Sequence, residues 1–358
     1  MSNAVSNSTT PASLGYSMPA EWARHRATWL SWPHNLETWP GDLEKVRESW
    51  IQMVCALAPH EQVYLLVNDA RSEQEVTVRL KAASAALANV TLLRIPTTDV
   101  WMRDYGPTFV TRNSQDAPLA FNDWIFNGWG GKYQAYEEDE RVAREIAKLL
   151  KVPVFDHKII LEGGSIEVNG AGSCLTTEQC LLNPNRNPHM NRQEIGHFLK
   201  TSLGVSHVIW LGEGIVGDDT DGHIDDIARF VNPTTVVFII EANSKDDNYR
   251  CLQENYERLQ SAKDQSGGKL EIVTLPCPSP VYFENSRLPA SYANFYIANE
   301  VVLVPVFDDA NDKSALGILQ ELFSERKVIG LRCNEVVAGL GAIHCVTQQE
   351  PAVNWPRP

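Results

Sequence analysis

The stretch GLGAIHCVTQQEP, residues 339–351, lies almost at the end of a chain of 358 residues. It combines a glycine-broken turn and a short apolar run with a cysteine, Cys345, which only thirteen residues follow. By residue type alone, a free cysteine is usually a small buried hydrophobic group. A nucleophilic cysteine needs a general acid/base and a preorganised setting, which distant parts of the chain would supply. The interpretation of this segment therefore depends on the rest of the sequence.

The composition is that of an ordinary globular protein, with 43% hydrophobic residues and a formal net charge of -14. The negative charge disfavours nucleic acid or an anionic membrane surface as a partner, and it mildly favours cationic ligands. The longest apolar runs, 236–240 and 301–306, are far shorter than the roughly 20 residues of a membrane span. Because the polar start lacks signal-peptide features, we expect a cytoplasmic location, with a homo-oligomer left open.

Cysteine and histidine spacing indicates neither a disulfide framework nor a metal site. The seven cysteines include no C-x-x-C pair, and the nine histidines are scattered without an H-E-x-x-H motif. The acidic run 218–226 fails as an EF-hand, because Gly217 and Ala228 would occupy positions that need carboxylates. The third glycine of a dinucleotide fingerprint would fall at His344. We expect no metal and no cofactor.

Strand-like runs alternate with amphipathic helices along the whole chain, which predicts an α/β protein with mixed sheets. The runs cover 62–67, 89–96, 158–168, 207–211, 234–240, 269–275, 293–306 and 327–331, and helices are predicted at 138–150, 247–263 and 312–323. The first helix should bury Val142, Ile146 and Leu149 on one face. Since no linker interrupts the chain and no sequence repeat is evident, we expect a tail at 1–15, flexible in solution, and a single catalytic domain at 16–358.

Four polar, glycine-containing stretches could hold a site: 99–107, 161–165, 217–230 and the terminal segment. Of the histidines in them, His223 is the best partner for Cys345, because it is flanked by two aspartates. His344 is adjacent to Cys345, and neighbours on a strand point to opposite faces, so we expect His344 to be structural.

The carboxylates in these stretches suggest the kind of substrate. Asp104 and Asp225 would poorly suit an acyl-transfer oxyanion, which needs donors. They suit a planar cation that donates several N–H bonds, and such a cation would also favour ionisation of a nearby thiol. The residues thus indicate a Cys/His enzyme for guanidine chemistry. A thiol amide hydrolase remains open, as does a non-catalytic protein in which Cys345 is structural.

Taken together, the motifs resemble the agmatine deiminases, within the guanidine-modifying enzymes that include arginine and peptidylarginine deiminases. The resemblance runs from residue 18 to 351 and rests on MPAEW at 18–22, W-x-R-D-x-G-P at 101–107, FNGWGG at 126–131, EGGS at 162–165, CLLNPNRNP at 180–188, DGHID at 221–225, ASYANFYIAN at 290–299 and IHCVTQQ at 343–349. It implies a pentein-like five-bladed α/β propeller with pseudo-fivefold symmetry, an active site on the central axis, and no cofactor or metal.

The resemblance also implies a role for each matching catalytic residue. Cys345 would be the nucleophile, on a short segment that returns to the axis, and His223 the acid/base. Asp104 and Asp225 would hold the guanidinium, and Glu162 would support the histidine, although a glutamate capping the glycine turn is an alternative. The implied reaction converts agmatine to N-carbamoylputrescine and ammonia through an S-amidino-cysteine. Deimination of free or peptidyl arginine and amidino transfer are the alternatives.

Three further residues are implied to bind the substrate. Asp219 would contact its distal part, and Trp101 and Trp129 would wall its aliphatic chain, although core packing suits both tryptophans equally. An arginine substrate would need a cation for its carboxylate. Alternation along an extended segment should turn Arg103 away from the substrate, and the acidic run around Asp219 should attract an ammonium instead.

The sequence departs from the pattern typical of the agmatine-specific enzymes at four positions. Leu340 and Ala342 stand where a glycine and an asparagine are expected, Asp221 replaces an asparagine, and Glu167 replaces a histidine. We expect these residues to flank the pocket and to bear on the identity of the substrate rather than on the chemistry.

Overall fold

A computed structural model of the protein describes residues 9–353. Part of the predicted tail, residues 1–8, lies outside this range, whereas Ala12–Leu14 forms a 3-10 helix. Ser17 then exchanges two backbone hydrogen bonds with Thr111, and the Met18 amide donates to the Leu203 carbonyl at 2.8 Å. The chain is therefore attached to the body of the protein directly after the predicted tail.

Within residues 9–353, the α-helices α1–α9 are, in chain order, Leu43–Leu57, Ala70–Ala82, Met102–Tyr105, Gly128–Gly131, Glu137–Leu150, Glu178–Leu181, Arg192–Leu203, Tyr249–Ser261 and Asp312–Leu322. The three helices predicted from the sequence correspond to α5, α8 and α9, with ends that agree within two residues. Further 3-10 helices lie at Leu87–Asn89, Gly163–Ser165, Ile224–Asp226 and Val337–Gly339. None of the helices described is long and apolar enough to cross a membrane.

The strands β1–β18 of the same residues are His25–Ser31, Gln62–Val67, Val90–Arg94, Thr108–Thr111, Leu119–Ile125, Val154–Ile160, Glu167–Val168, Ser173–Thr177, His207–Leu211, Ala228–Phe230, Thr235–Ile240, Glu271–Pro276, Tyr282–Phe283, Ser286–Arg287, Tyr296–Ile297, Val301–Val306, Lys327–Arg332 and Gln348–Pro351. Every predicted strand-like run overlaps at least one of them. The α/β class is confirmed.

The sheets repeat one strand pattern, although no repeat is evident in the sequence. β4–β5–β6, β7–β8–β9, β10–β11–β12 and β15–β16–β17 each pair their first two strands antiparallel and their last two parallel. A fifth sheet, ordered β18–β1–β2–β3, has the same antiparallel and parallel pairs and one more parallel strand. A separate hairpin joins β13 to β14. The recurrence is structural, because similar backbone units are built from dissimilar residues.

The end of the segment quoted first completes the fifth sheet. Strand β18 pairs antiparallel with β1, in a register that places Gln348 opposite Trp29. The indole Nε1 of Trp29, which is fully buried, donates to Oε2 of Glu350 at 3.1 Å. The last described strand is thus joined to the first, and this pairing places Cys345 three residues before β18.

Helix α5 packs its apolar face on the core, but the sequence predicted that face one residue wrong. Val142 and Ile146 are buried, as expected, and Leu150 is buried beside them, whereas Leu149 is 50% exposed. At 3.6 residues per turn, a face centred between Val142 and Leu150 leaves Leu149 at its edge. Tertiary packing therefore selects Leu150 in place of Leu149.

This assignment can be tested with a matched pair of substitutions on one helix. Ile146→Ala removes buried methyl groups and should lower the free energy of unfolding by about 2–5 kcal/mol. Leu149→Ala removes a comparable group from the solvent-exposed side and should change it by roughly 0.5 kcal/mol or less. Urea titration followed by circular dichroism measures both, and equal losses would contradict the placement of α5.

Candidate active site

A cavity of about 420 Å³ lies where the terminal segment meets the loops after β3 and β9. Five of the residues expected at the site line this cavity: Trp101, Asp104, Trp129, Asp219 and Cys345. The other three, Glu162, His223 and Asp225, are not part of its lining and are at most 1% exposed. The structure thus brings the predicted residues together in two layers, a cavity wall and a group of buried side chains.

Cys345 lies in a turn, and just before this turn the backbone at Gly341 packs closely against the Trp101 ring. Gly341 is required there, because a Cβ at this position would lie 2.4 Å from the Trp101 ring and 3.1 Å from the Cβ of Cys345. Asn294 Nδ2 donates to Sγ of Cys345 at 3.1 Å, and Sγ lies 3.8 Å from Oδ2 of Asp225. Since the side chain is 8% exposed and lines the cavity, a ligand there can reach the sulfur.

The expectation that His344 lies on a strand is wrong. Residues 343–346 form a turn, and the His344 ring bridges two carboxylates. Its Nδ1 lies 2.6 Å from Oδ2 of Asp225, and its Nε2 lies 2.8 Å from Oε2 of Glu21. Because ionised carboxylates only accept, both hydrogen bonds form together when both ring nitrogens carry protons. His344 therefore positions Asp225.

The two aspartates expected to hold a cation have different surroundings. Asp104 Oδ2 accepts from the indole Nε1 of Trp129 at 2.8 Å, and Oδ1 accepts from the Gly164 amide at 2.9 Å. Asp225 uses Oδ2 for His344, while its buried Oδ1 has no hydrogen-bond partner in the described part of the chain. No lysine or arginine between residues 9 and 353 forms an ion pair with either carboxylate. The arrangement leaves both able to receive a cation.

His223 lies directly behind Asp104. Its Nδ1 is 3.7 Å from Oδ1 of Asp104, and its Nε2 is 4.0 Å from Oε2 of Glu162. The ring fits because Gly164 has no side chain, since a Cβ there would lie 2.5 Å from Nδ1. Glu162 does not cap the glycine turn through its side chain; its Oε1 accepts from Nε of Arg186 at 2.7 Å.

The loop before His223 is organised by Asp218. Oδ2 of Asp218 accepts from the amides of Gly222 and His223, both at 2.9 Å, while Oδ1 accepts from the Thr220 amide at 2.8 Å. Gly222 adopts φ +87°, a left-handed conformation that glycine tolerates best. Asp218 is thus occupied within the loop rather than presented to a ligand.

Of the acidic run 218–226, Asp219 lines the cavity, whereas Asp218 and Asp221 do not. Asp219 Oδ2 accepts from the Tyr133 hydroxyl at 2.5 Å. Asp221 instead forms ion pairs with Nη1 of Arg186 at 2.6 Å and Nζ of Lys132 at 2.7 Å. Its charge is therefore compensated locally.

Of the four departures named above, only Leu340 lies at the pocket as expected. Leu340 lines the cavity and adopts φ +72°, where a branched side chain is strained. Ala342 is buried outside the lining, and Glu167 is buried against Arg229, whose Nε lies 3.1 Å from Oε2. With Asp221 already paired, Leu340 is the departure that contacts the pocket.

Burial sets the protonation states around the cavity. Burial, reinforced by Asp225, raises the pKa of Asp104 well above its usual value. Burial would also raise the pKa of Asp225, but the hydrogen bond and charge of His344 lower it below the ordinary range. Burial lowers the pKa of His223 to about 3, so this ring is neutral. Burial and neighbouring carboxylates raise the pKa of Cys345 well above that of a free thiol.

Sequence reasoning missed the residues that support this site. Glu21 binds His344, Arg103 and Arg229, with Nη2 of Arg229 at 2.8 Å from Oε1. The only signal was its presence in the MPAEW motif. Arg103 turns away from the cavity as expected, although the reason is different: residues 102–105 form a helical turn, and its Nη1 donates to Gln349.

A buried thiol, a neutral histidine and several carboxyl groups are thus gathered at one cavity and directly behind it, which marks a candidate active site. The chain belongs to the Porphyromonas-type peptidyl-arginine deiminase family, whose model matches residues 17–351. A Legionella pneumophila (strain Paris) protein named "Putative agmatine deiminase" is 39% identical over 345 residues, which cover 96% of this chain and 97% of the relative.

Solved structures agree with this placement. The agmatine deiminase of Enterococcus faecalis superposes with a TM-score of 0.90 at 32% identity, covering 97% of this chain and 98% of the other. A cysteine-to-serine variant of the C. jejuni agmatine deiminase with substrate bound gives a TM-score of 0.84 at 32% identity, with coverage of 93% and 96%. The fold class and its family are thereby established.

The raised pKa of Cys345 predicts slow alkylation that accelerates with pH. Because the thiolate is the reactive form, labelling by iodoacetamide should still be increasing above pH 9.0, the ordinary thiol pKa. Asp225→Asn removes one of the charges that oppose ionisation and should speed labelling at pH 8 by roughly tenfold. Mass spectrometry of the terminal peptide measures the rate. Asp139→Asn, in the same cavity, is the control, and an equal effect of both substitutions would refute the local cause.

Proposed function

We propose that this protein hydrolyses agmatine to N-carbamoylputrescine and ammonia. The observation that carries the proposal is the pair Asp104 and Asp225, two buried carboxyl groups near the Cys345 thiol, neither of which forms an ion pair with a lysine or arginine among residues 9–353. Burying such charges is costly unless a cation joins them, and a guanidinium donates several N–H bonds to carboxylates. The relatives named as agmatine deiminases support the choice of guanidine.

In the first half-reaction, the bound guanidinium lowers the pKa of the thiol by placing positive charge beside it. The sulfur of Cys345 attacks the guanidinium carbon, and the neutral His223 takes up the thiol proton. As the C–S bond forms and one C–N bond breaks, His223 returns this proton to the nitrogen that departs as ammonia. An S-amidino-cysteine remains, and Asp104 and Asp225 continue to hold its positive charge.

In the second half-reaction, His223 removes a proton from a water molecule that attacks the amidino carbon. The C–S bond then breaks, the thiol is regenerated, and a ureido product leaves. Counted over both steps, the guanidinium and water yield the ureido group and one ammonium ion. Glu162, 4.0 Å from Nε2 of His223, would stabilise the imidazolium that forms twice.

The fold assists this chemistry if the five similar sheets are the blades of a pseudo-fivefold propeller. The proposal is supported by their common strand pattern and by the pairing of β18 with β1, which would close the ring. In this arrangement residues 16–358 form one domain, and Cys345 reaches the central axis after the other blades have been completed.

The cavity favours agmatine over arginine. Asp219 is a carboxylate on its wall, and Trp101 and Trp129 contribute apolar surface to the same wall. No lysine or arginine of the described residues lines the cavity, so a substrate carboxylate would meet like charge. Deimination of free or peptidyl arginine, amide hydrolysis and amidino transfer to an amine are therefore the less favoured reactions.

The covalent step can be tested by trapping. Wild-type protein quenched during turnover of agmatine should carry an added amidino group on the peptide that contains Cys345. Cys345→Ser should retain the fold and bind agmatine but lose turnover, because a hydroxyl is far less ionised than a thiol. Mass spectrometry and an ammonia assay report on the two effects, and substantial activity in Cys345→Ser would refute the mechanism.

Substrate choice can be tested separately from the chemistry. We expect kcat/KM for agmatine to exceed that for arginine by about a hundredfold or more, since close like-charge contact costs several kcal/mol. Asp219→Asn should raise KM for agmatine, whereas Asp221→Asn, whose charge is paired outside the cavity, should leave it nearly unchanged. Equal turnover of arginine would overturn the substrate assignment and leave the deiminase chemistry standing.

A further inference from the structure

Behind the cavity wall, three potential metal ligands converge in the part of the chain described. The carboxylate oxygens of Glu162, the thiol of Cys180 and the ring nitrogens of His223 each offer one atom, and these atoms lie within 4.8 Å of one another. All three side chains are at most 1% exposed. Oε2 of Glu162 and Nε2 of His223 have no hydrogen-bond partner among residues 9–353, although both are buried and 4.0 Å apart.

We propose that Glu162, Cys180 and His223 form a binding site for a borderline or soft divalent cation such as Zn²⁺ or Cd²⁺, and that this ion inhibits the enzyme. A mixed oxygen, sulfur and nitrogen set selects such ions over Mg²⁺ and Ca²⁺, which prefer oxygen alone. Zinc bonds of about 2.0–2.3 Å place tetrahedral ligands roughly 3.3–3.7 Å apart. The three atoms therefore need to contract by about an ångström.

The surroundings already orient two of the ligands. Arg186 holds Oε1 of Glu162 at 2.7 Å, which leaves Oε2 free. Nδ1 of His223 lies 3.7 Å from Oδ1 of Asp104, so a proton on Nδ1 would face a carboxylate and leave the Nε2 lone pair for the ion. A metal-bound histidine usually donates its other N–H to a carboxylate or carbonyl in this way.

The local charge permits a cation. The guanidinium of Arg186 would repel it, but Asp221 pairs with the same guanidinium at 2.6 Å. Binding replaces the proton of the Cys180 thiol with a sulfur–metal bond and releases that proton to solvent, because only the thiolate is a ligand. With the Glu162 carboxylate and neutral His223, the dication and its ligands sum to zero charge.

Inhibition rests on the proposed function, whereas binding does not. If His223 is the acid/base, an ion on Nε2 prevents the ring from carrying a proton through both half-reactions. Zinc should then lower kcat, and excess EDTA should restore it. The binding test uses protein without the nucleophile, so the failure of one idea can be distinguished from that of the other.

The experiment uses Co²⁺ as a spectroscopic probe in full-length Cys345→Ser protein. Cobalt bound to a thiolate shows a near-ultraviolet charge-transfer band, and Zn²⁺ should displace it in a competition titration. We expect one band-producing site in Cys345→Ser, loss of the band in Cys345→Ser/Cys180→Ala, and retention in Cys345→Ser/Cys174→Ala. Cys174 is an equally buried control cysteine. The same band in the Cys180→Ala double variant, or none in Cys345→Ser, overturns the site.

Activity provides the second readout. In the wild-type background, the activity of each variant is expressed relative to its own rate without metal. Cys180→Ala should raise the Zn²⁺ concentration for half-inhibition at least tenfold over that of the wild-type protein, while Cys174→Ala should not. Unchanged inhibition would instead place the ion on the neighbouring group of Asp225, Asp226 and Cys345, and this also overturns the proposal. If the folding of Cys180→Ala is impaired, Cys180→Ser supplies the same comparison with a poorer metal ligand.

Discussion

The burial of one carboxylate, that of Glu21, constrains much of this structure. Glu21 is 4% exposed, and an unpaired charge in such a place would cost several kcal/mol. Its oxygens accept from Arg229, the His344 ring, Arg103 and the amide of Ile297, which belong to four separate segments. Burial would raise the pKa of Glu21, but these cations lower it well below the ordinary value. A substitution at any partner would leave buried charge uncompensated.

This network extends to the candidate active site through one imidazole. His344 connects Glu21 to Asp225, so the orientation and ionisation of Asp225 depend on a residue near the start of the chain. Desolvation alone would neutralise the carboxylates and the histidine of the site, as it does for His223. Asp225 is the exception because His344 supplies both a hydrogen bond and a positive charge. The site thus combines a neutral thiol at Cys345 with a carboxylate at Asp225 that remains ionised.

Much of the architecture followed from local patterns. Alternating apolar residues located many of the strands, and helical periodicity located α5, α8 and α9, because each signal depends on neighbours in sequence. The candidate residues Cys345, Asp104 and Asp219 were found from motifs, and the structure places all three at one cavity. Errors occurred where packing decides. Leu150 rather than Leu149 is buried on the core-facing side of α5, and His344 lies in a turn rather than on a strand.

The amino-acid sequence by itself determined the fold class, many of the strands, three of the helices described, and the residue types available for chemistry. Only the tertiary structure decided that Asp219 faces the cavity while Asp218 accepts backbone amides and Asp221 pairs with Arg186. Periodicity cannot assign such roles, because these aspartates lie in an irregular loop where left-handed residues turn consecutive side chains in unrelated directions. The partners that compensate buried charge, above all those of Glu21, come from segments up to 323 residues apart, and only folding brings them together.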